Sequence, residues 1–572
     1  MQDELLGSGR RLVSKAGSLN AGGGSGSCMV EGRPAPPPPA VAKKKSERLQ
    51  CLDAVRGLNV MLMVFVDNVG GWFQGWIDHS PWDVVHLADF VMPLFLFMVG
   101  VSMAFSMKKY SGPALKWKIL WRTIKLFVLG CLTQGANIWL GGDGVNMAQL
   151  RIPGILQRIA FAYFVVAMMK LFLPVYTIRG FVLRGQWEDA PRNRLAIFSH
   201  YTLHWVVAFA FFFLYVGIML FAHVPSWSYT TPGKWSSDKD CYVDNTTAGG
   251  KVRHCHETWI EPVTYHTECD THGDLTPKCS ATRMVDSWLI GYEHMYGSGE
   301  FTRSKWCSGC PPMGESNHCP LLNTTTGKQI VIPGWCHARL DPEGILSSVP
   351  TVLTTWLGLH FGLVLSHHQH PGYRLKHWGA LSTVFFALGW IISPFWGMNK
   401  QTWSPSYLFF MAGSCGYLLI ALYVVYDLPS NHPLDPSYVP FWMRRFLRRF
   451  FEPARWVGMN TIFVYIMAPS AEVFGHAQNW IYFNDHKGDN VRDLIYSHVF
   501  CNNPIHHKSG TPLNMVPINE GGNTKVYTSF CTGGMFDDHP QRYAQLAWTI
   551  FRIAFWTCVA GELHRRRWYW AL

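Results

Sequence analysis

Residues 48–107 read RLQCLDAVRGLNVMLMVFVDNVGGWFQGWIDHSPWDVVHLADFVMPLFLFMVGVSMAFSM, and the rest of the chain is read outward from them. Two apolar runs, Leu58–Val66 and Phe90–Phe105, flank a polar connector carrying Asp67, Asn68, Asp78, His79 and Asp83. Extended by its neighbours, each run approaches the ~20 residues that cross a ~30 Å hydrocarbon core. Ionisable side chains this close to membrane segments are costly to hold there, so by default they mark a functional site. A histidine among carboxylates and an amide has the composition of a proton-transfer station. The connector is therefore the candidate active site. The plainer alternative is an interfacial histidine hydrogen-bonded to a neighbouring carboxylate.

The chain has 572 residues, 48% hydrophobic and only 15% charged. Soluble proteins average about 25% charged. The mean hydropathy of +0.05 is mild for a membrane protein because long polar loops dilute it. A formal charge of +12 raises the question of nucleic acid. Here, however, Lys and Arg fall in short clusters between apolar runs, the pattern of membrane topology, and no nucleic-acid partner is expected. Residues 1–47 hold GGGSGS and PAPPPPA, end in a basic cluster and lack an apolar signal-peptide core; they are expected to be a disordered cytosolic tail.

Ten candidate spans follow: about 54–74, 86–107, 118–138, 154–174, 199–223, 343–366, 378–397, 405–427, 456–475 and 543–562. Basic clusters precede span 1 (Lys43, Lys44, Lys45, Arg48) and follow spans 2, 4, 6, 8 and 10, so every second connection is basic and both termini are expected in the cytosol. The other connections face a lumen. The sequence thus predicts an all-α polytopic membrane protein with a disulfide-rich luminal loop. Its divisions are a tail at 1–47, spans 1–5 with the connector at 48–223, and a cysteine-rich glycosylated loop at 224–342. Spans 6–9 at 343–475, a second luminal loop at 476–542, and span 10 with a basic tail at 543–572 complete it.

Two features agree with that sidedness. The first loop holds the sequons Asn245-Thr-Thr and Asn323-Thr-Thr. It also holds Cys241, Cys255, Cys269, Cys279, Cys307, Cys310, Cys319 and Cys336, and the second loop holds Cys501 and Cys531. Even counts in an oxidising compartment suit disulfides. Cys307-x-x-Cys310 with His318–Cys319 and Cys336–His337 can also be read as a zinc site, but its spacing is loose and no metal is expected. The 26 tryptophans fit interfacial belts, and His367, His368 and His370 fit a solvated connection.

Further polar residues sit at helix entrances or at membrane depth. Asp53 and Arg56 open span 1, where Arg56 either snorkels to the interface or meets an anionic group arriving from the cytosol. Arg151-Ile-Pro-Gly-Ile-Leu-Gln157-Arg158 opens span 4, placing Gln157 and Arg158 within the apolar segment. Asp341-Pro-Glu343-Gly opens span 6 and is expected to partner Arg158. Asn460 adds a buried amide in span 9. Polar groups entering from several helices suit a bundle around a wet cavity. A transporter or an inactive scaffold with a partner-binding loop would use such a bundle too.

RLQCLDAVRGLNVMLMVFVDNVGG, HSPWDVVHLADFVMPLFLFMVGVS, RIPGILQRIA, DPEGIL, WSPSY and GMNTIFVY together resemble the heparan-alpha-glucosaminide N-acetyltransferase family and its plant and bacterial homologues. The resemblance implies a membrane acetyltransferase that takes acetyl-CoA from the cytosol and acetylates a luminal amino-sugar or glycan acceptor. His79 matches the family's catalytic histidine, Asn68 its catalytic asparagine (with Asp67 a rival by a one-residue shift), and Asp89 an acidic residue of the same motif. In an acetyltransferase of this kind Arg56, Gln157 and Arg158 are the candidates to serve acetyl-CoA, and Trp82, Arg151, Glu343 and Asn460 those to serve the acceptor. The chain departs from the family at Trp82-Asp83-Val84, where W-N-G is usual. A lysosomal or vacuolar membrane is implied, with the plasma membrane as the alternative, together with a homodimer among surrounding membrane lipid.

Overall fold

A computed structural model describes residues 49–69, 76–107, 112–135, 147, 150–177, 180–182, 196–231, 234–235, 240–244, 252–256, 259–296, 333–368, 370–428, 441–468, 516–518, 526–528 and 540–570. The first helix, α1 (Gln50–Val69), carries Asp53 in its first turn, where a negative charge suits the helix dipole. Its leading amides at Gln50 and Cys51 donate to the Asp427 carboxylate over 3.1 and 2.8 Å. That distant cap satisfies donors no helix can satisfy internally. A single 3₁₀ turn, Leu87–Phe90, then runs into α2 (Val91–Ser106).

After it come α3 (Gly112–Gly130), α4 (Ile155–Phe172), a short α5 (Ala196–His200) and α6 (Thr202–Phe221). The loop helix α7 (Ala281–Ile290) precedes the one-turn α8 (Ile345–Ser348) and α9 (Thr351–His367). Both α10 (Pro371–Ile392) and α11 (Pro405–Tyr426) start with proline, whose fixed φ and missing N–H suit a first helical position. The chain closes with α12 (Phe441–Met459), α13 (Thr461–Met467) and α14 (Pro540–Arg565).

Among the described residues, seven helical segments are long and apolar enough to cross a membrane: 87–106, 155–172, 202–221, 345–367, 371–392, 405–426 and 546–565. They coincide with seven of the ten expected spans. The other three differ for visible reasons. Asp53, Arg56 and Asp67 interrupt α1, and Lys116, Lys118, Arg122 and Lys125 interrupt α3. The ninth expected span is divided at Asn460 between α12 and α13, and its last residues lie outside the described ones.

The segment leading into α9 is almost wholly enclosed, and α2 lies against it so closely that only glycine fits. A Cβ on Gly358 would stand 2.0 Å from the Phe97 carbonyl oxygen, and one on Gly100 2.1 Å from that of Thr355. The same device joins α1 to α12: a Cβ on Gly458 would fall 1.7 Å from the Asp53 oxygen. Small residues of this kind let membrane helices gain dispersion contacts where lipid supplies no hydrophobic drive. By contrast, α6 and α10 expose Phe213, Leu214, Val384 and Ile391, an outer surface suited to acyl chains. Arg444 and Arg448 of α12 donate to the carbonyls of Val425, Tyr426 and Leu428, closing the end of α11.

The cysteine-rich loop is not helical throughout, which corrects the all-α expectation. Trp227–Thr230 pairs antiparallel with Thr264–Thr267, His223–Val224 with Thr271–His272, and Asp240–Asp244 with Val252–His256. Cys269 and Cys279 form a disulfide, and Cys336 is also disulfide-bonded. The backbone register sets Cys241 opposite Cys255. Asn245, Asn323, Cys307, Cys310, Cys319, Cys501, Cys531 and the expected tail at 1–47 lie outside the described residues.

Because Gly458 has no room for a side chain, Gly458→Val is expected to prevent α1 and α12 from meeting. Size-exclusion profiles in detergent check this: the variant should lose its monodisperse peak, and a wild-type profile would contradict the packing.

Candidate active site

The connector folds around one carboxylate. Asp89, in the 3₁₀ turn before α2, is 0% exposed. A buried carboxylate needs charged or hydrogen-bonding partners on all sides. Its Oδ2 accepts the backbone N–H groups of His86 (2.9 Å) and Ser80 (3.3 Å), pulling the chain between residues 80 and 89 into a closed loop. Its backbone oxygen accepts the Tyr407 hydroxyl from α11 at 2.6 Å. The other carboxylate oxygen, Oδ1, lies 3.5 Å from His79 Nδ1 and 3.6 Å from Lys400 Nζ. Lys400 Nζ is also 2.8 Å from His79 Nδ1. Histidine, carboxylate and ammonium thus form a triangle, with the imidazole the most exposed of the three.

Lys400 is held by the loop 397–404, between α10 and α11. Ser404 Oγ donates to the Gly397 carbonyl and accepts from Asn399 N, while Asn399 Oδ1 accepts from Thr402 N. Gln401 reaches across to donate to the Pro81 carbonyl of the connector at 3.0 Å. Trp403 is fully buried at φ 56°, a backbone conformation rarely tolerated by a bulky residue. Such outliers persist where the surroundings over-determine them, and they concentrate at functional sites.

Beside this loop stands a second charged group. Arg151 donates to both oxygens of Asp341 (2.8 and 2.6 Å) and to Glu343 (2.6 Å). Burial opposes the charge on Arg151, but Asp341 and Glu343 outweigh it and hold the guanidinium protonated. Burial likewise works to raise the Glu343 carboxyl, yet Arg151, Lys400 and Arg158 keep it below its ordinary range. The expected pairing of Arg158 with the Asp341–Glu343 carboxylates is corrected: those go to Arg151. Arg158, buried in α4, donates instead to Ser348 Oγ, Ser347 Oγ and the Pro342 carbonyl, with its guanidinium 5.2 Å from the Trp403 ring. Arg158 Nη1 has no partner among the described residues.

The remaining candidates are spread over the bundle. Trp82 is buried against Cys336 and Leu340 and donates to the Leu275 carbonyl, so it fastens the connector to the cysteine-rich loop. Asn68, near the end of α1, donates to the Val64 carbonyl and accepts from Arg552 of α14; Asp67 beside it is exposed. Gln157 donates to Cys131 Sγ. Arg56 bonds Asp53 and Ser102 at the start of α1. Asn460 accepts the Trp570 amide and lies two residues beyond Gly458, at the Asp53 end of α1, away from Asn68. The structure therefore brings together His79 and Asp89, and separately Arg151, Glu343 and Arg158 around the α8 turn.

Residues 48–209 match the family model described as "Heparan-alpha-glucosaminide N-acetyltransferase, catalytic". Over 451 residues the chain is 25% identical to the heparan-alpha-glucosaminide N-acetyltransferase of Mus musculus, covering 75% of this chain and 54% of that protein. Over 439 residues it is 25% identical to the Homo sapiens protein of the same name, covering 73% and 52%. The chain is similar to the heparan-alpha-glucosaminide N-acetyltransferases. It spans about half the length of the curated relatives it matches. The region that matches the acetyltransferase model contains His79, Asp89, Arg151 and Arg158; Lys400 lies beyond it.

Lys400 and Arg552 escaped the sequence reading, and each had a signal. Lys400 is a lone cation in a connection on the side where basic residues are sparse. Arg552 is a charge inside an apolar helix, which calls for a partner. Asp286 of α7 is a third. Its Oδ1 accepts the Ile345 and Leu346 amides (2.8 and 3.0 Å), tying the loop to the start of α8.

Burial pushes the Asp286 carboxyl up to about 7, against those two amides. From the ordinary carboxylate range up to about pH 7, the folded protein holds a proton that the unfolded chain releases. Its contribution is present at acid pH and lost as pH rises through that window, by up to about 1.4 kcal/mol per pH unit. Thermal unfolding of the purified protein from pH 5 to 8 should show this decline, and Asp286→Asn should flatten it. An equally steep decline in the variant would contradict the assignment.

Proposed function

We propose that this chain is a membrane acetyltransferase that moves an acetyl group from cytosolic acetyl-CoA to an amino-sugar amine on the side of the cysteine-rich loop. The observation that carries the reading is the His79–Asp89–Lys400 triangle, two of whose members lie in the region similar to the acetyltransferase catalytic model. An imidazole beside a buried carboxylate is the equipment of acyl transfer: it accepts a proton from the attacking group and returns it to the leaving group.

In this reading the acceptor amine approaches the partly exposed His79 ring. As the new C–N bond forms, His79 takes the amine proton. As the thioester C–S bond breaks, it delivers that proton to the CoA thiolate. Asp89 orients the ring and balances the positive charge that develops on it. Arg158 Nη1, without a partner among the described residues, is suited to a carbonyl oxygen of the donor or to the oxyanion. Arg56, at the opposite end of α1, is suited to a phosphate of acetyl-CoA entering from the basic side. Asn68, held by Arg552, is the second candidate oxyanion donor. A covalent variant, with acetyl carried briefly on His79, is marked by ping-pong kinetics.

The test is transfer of labelled acetyl from acetyl-CoA to glucosamine by purified protein. Wild type should transfer, and His79→Ala should be slower by about 10²–10⁴-fold with an unchanged size-exclusion profile. Equal rates in the two proteins would refute the role of His79. Absence of acetyl-CoA binding would refute the acetyltransferase reading as a whole.

A further inference from the structure

We propose that Lys400 is a positioning residue that sets the charge state of His79, keeping the imidazole neutral down to acidic pH. The inference deepens the acetyltransferase reading and rests on it, since the neutral ring is the form that accepts a proton or attacks an acyl group.

Several carboxylates surround His79. On its own connector, Asp78 accepts the His79 backbone N–H at 2.7 Å, and Asp89 Oδ1 is 3.5 Å from Nδ1. His86 closes the same loop through its own N–H to Asp89 and through Nδ1 to the Asp78 carbonyl. Asp83 of the same connector packs against Gly397, and from a neighbouring element Glu343 is close enough for Lys400 to influence it. A histidine among this many carboxylates, with nothing to oppose them, would be drawn into the imidazolium form, which has no lone pair to offer.

Lys400 is the opposing charge. It contributes the Nζ nearest the ring, 2.8 Å from Nδ1, and it competes with His79 for the same Asp89 oxygen, at 3.6 against 3.5 Å. Whichever ring nitrogen holds the single proton of the neutral imidazole, a second proton would put two cations side by side in a largely buried site. Lys400 is itself fixed: its loop is tied by Ser404, Asn399 and the Gln401–Pro81 bond across to the connector. The side chain is 9% exposed, so solvent screens it weakly.

The experiment measures the charge of His79 without relying on turnover. Diethyl pyrocarbonate reacts with neutral imidazole, and the extent of modification of the His79 peptide, followed by mass spectrometry from pH 4.5 to 8, gives its titration midpoint; His79→Ala supplies the blank. In wild-type protein the midpoint should fall below the ordinary histidine value of about 6.5. Lys400→Met should raise it by at least one pH unit, a tenfold loss of neutral imidazole at acid pH. Lys400→Arg, which keeps the charge, should restore it. The acid limb of the acetyl-transfer profile should move by the same interval. A wild-type midpoint at or above 6.5 overturns the proposal, even if Lys400→Met does not fold. A midpoint unmoved or lowered in Lys400→Met overturns it as well. Protein that shows the expected midpoints yet transfers no acetyl leaves the Lys400 assignment standing and overturns the acetyltransferase reading.

Discussion

A carboxylate buried at the end of a membrane helix constrains everything around it. Asp89 cannot be left unsolvated and unpaired, because an uncompensated buried charge costs several kcal/mol or more. Its four described partners come from two elements that are far apart in sequence: two backbone amides and His79 from the connector, and Lys400 from the loop before α11. Satisfying Asp89 therefore folds the connector and fastens it to the 397–404 loop. The His79 imidazole is positioned by the same contacts that solve the desolvation problem. Local stability and the geometry of the candidate site are one arrangement.

A second constraint works through the α8 turn. Arg151, just before α4, and Arg158, within it, both grip the segment 341–348, one through carboxylates and the other through hydroxyls and a carbonyl. Asp286 reaches the same turn from the cysteine-rich loop, and Trp82 bonds that loop from the connector. The loop is thus tied to the membrane core at the level of the candidate site. A pH-sensitive carboxyl at this junction gives the loop side of the molecule its own response to acidity.

Most of the helical frame was legible in the sequence because apolar runs of about 20 residues have few other physical explanations. The expected spans that length and apolarity alone do not support are those where charge or an amide interrupts the run: α1 and α3 carry several charged residues, and Asn460 divides the ninth. Hydropathy carried no information on the short strand pairs of the loop, whose register depends on pairing between distant segments. In the site, His79 and Asp89 were visible because they lie close in sequence. Lys400 is 321 residues from His79, and only the fold joins them. Sequence position offered the Asp341 and Glu343 carboxylates to Arg158, whereas the fold gives them to Arg151, a choice that spacing alone does not make.

The central claim is that acetyl transfer runs across the membrane through His79. The most direct measurement places labelled acetyl-CoA outside sealed vesicles that contain the purified protein, with glucosamine trapped inside. The account predicts that label accumulates on the trapped glucosamine with wild-type protein and not with His79→Ala. Label appearing equally with both proteins, or only on glucosamine added to the acetyl-CoA side, would contradict it.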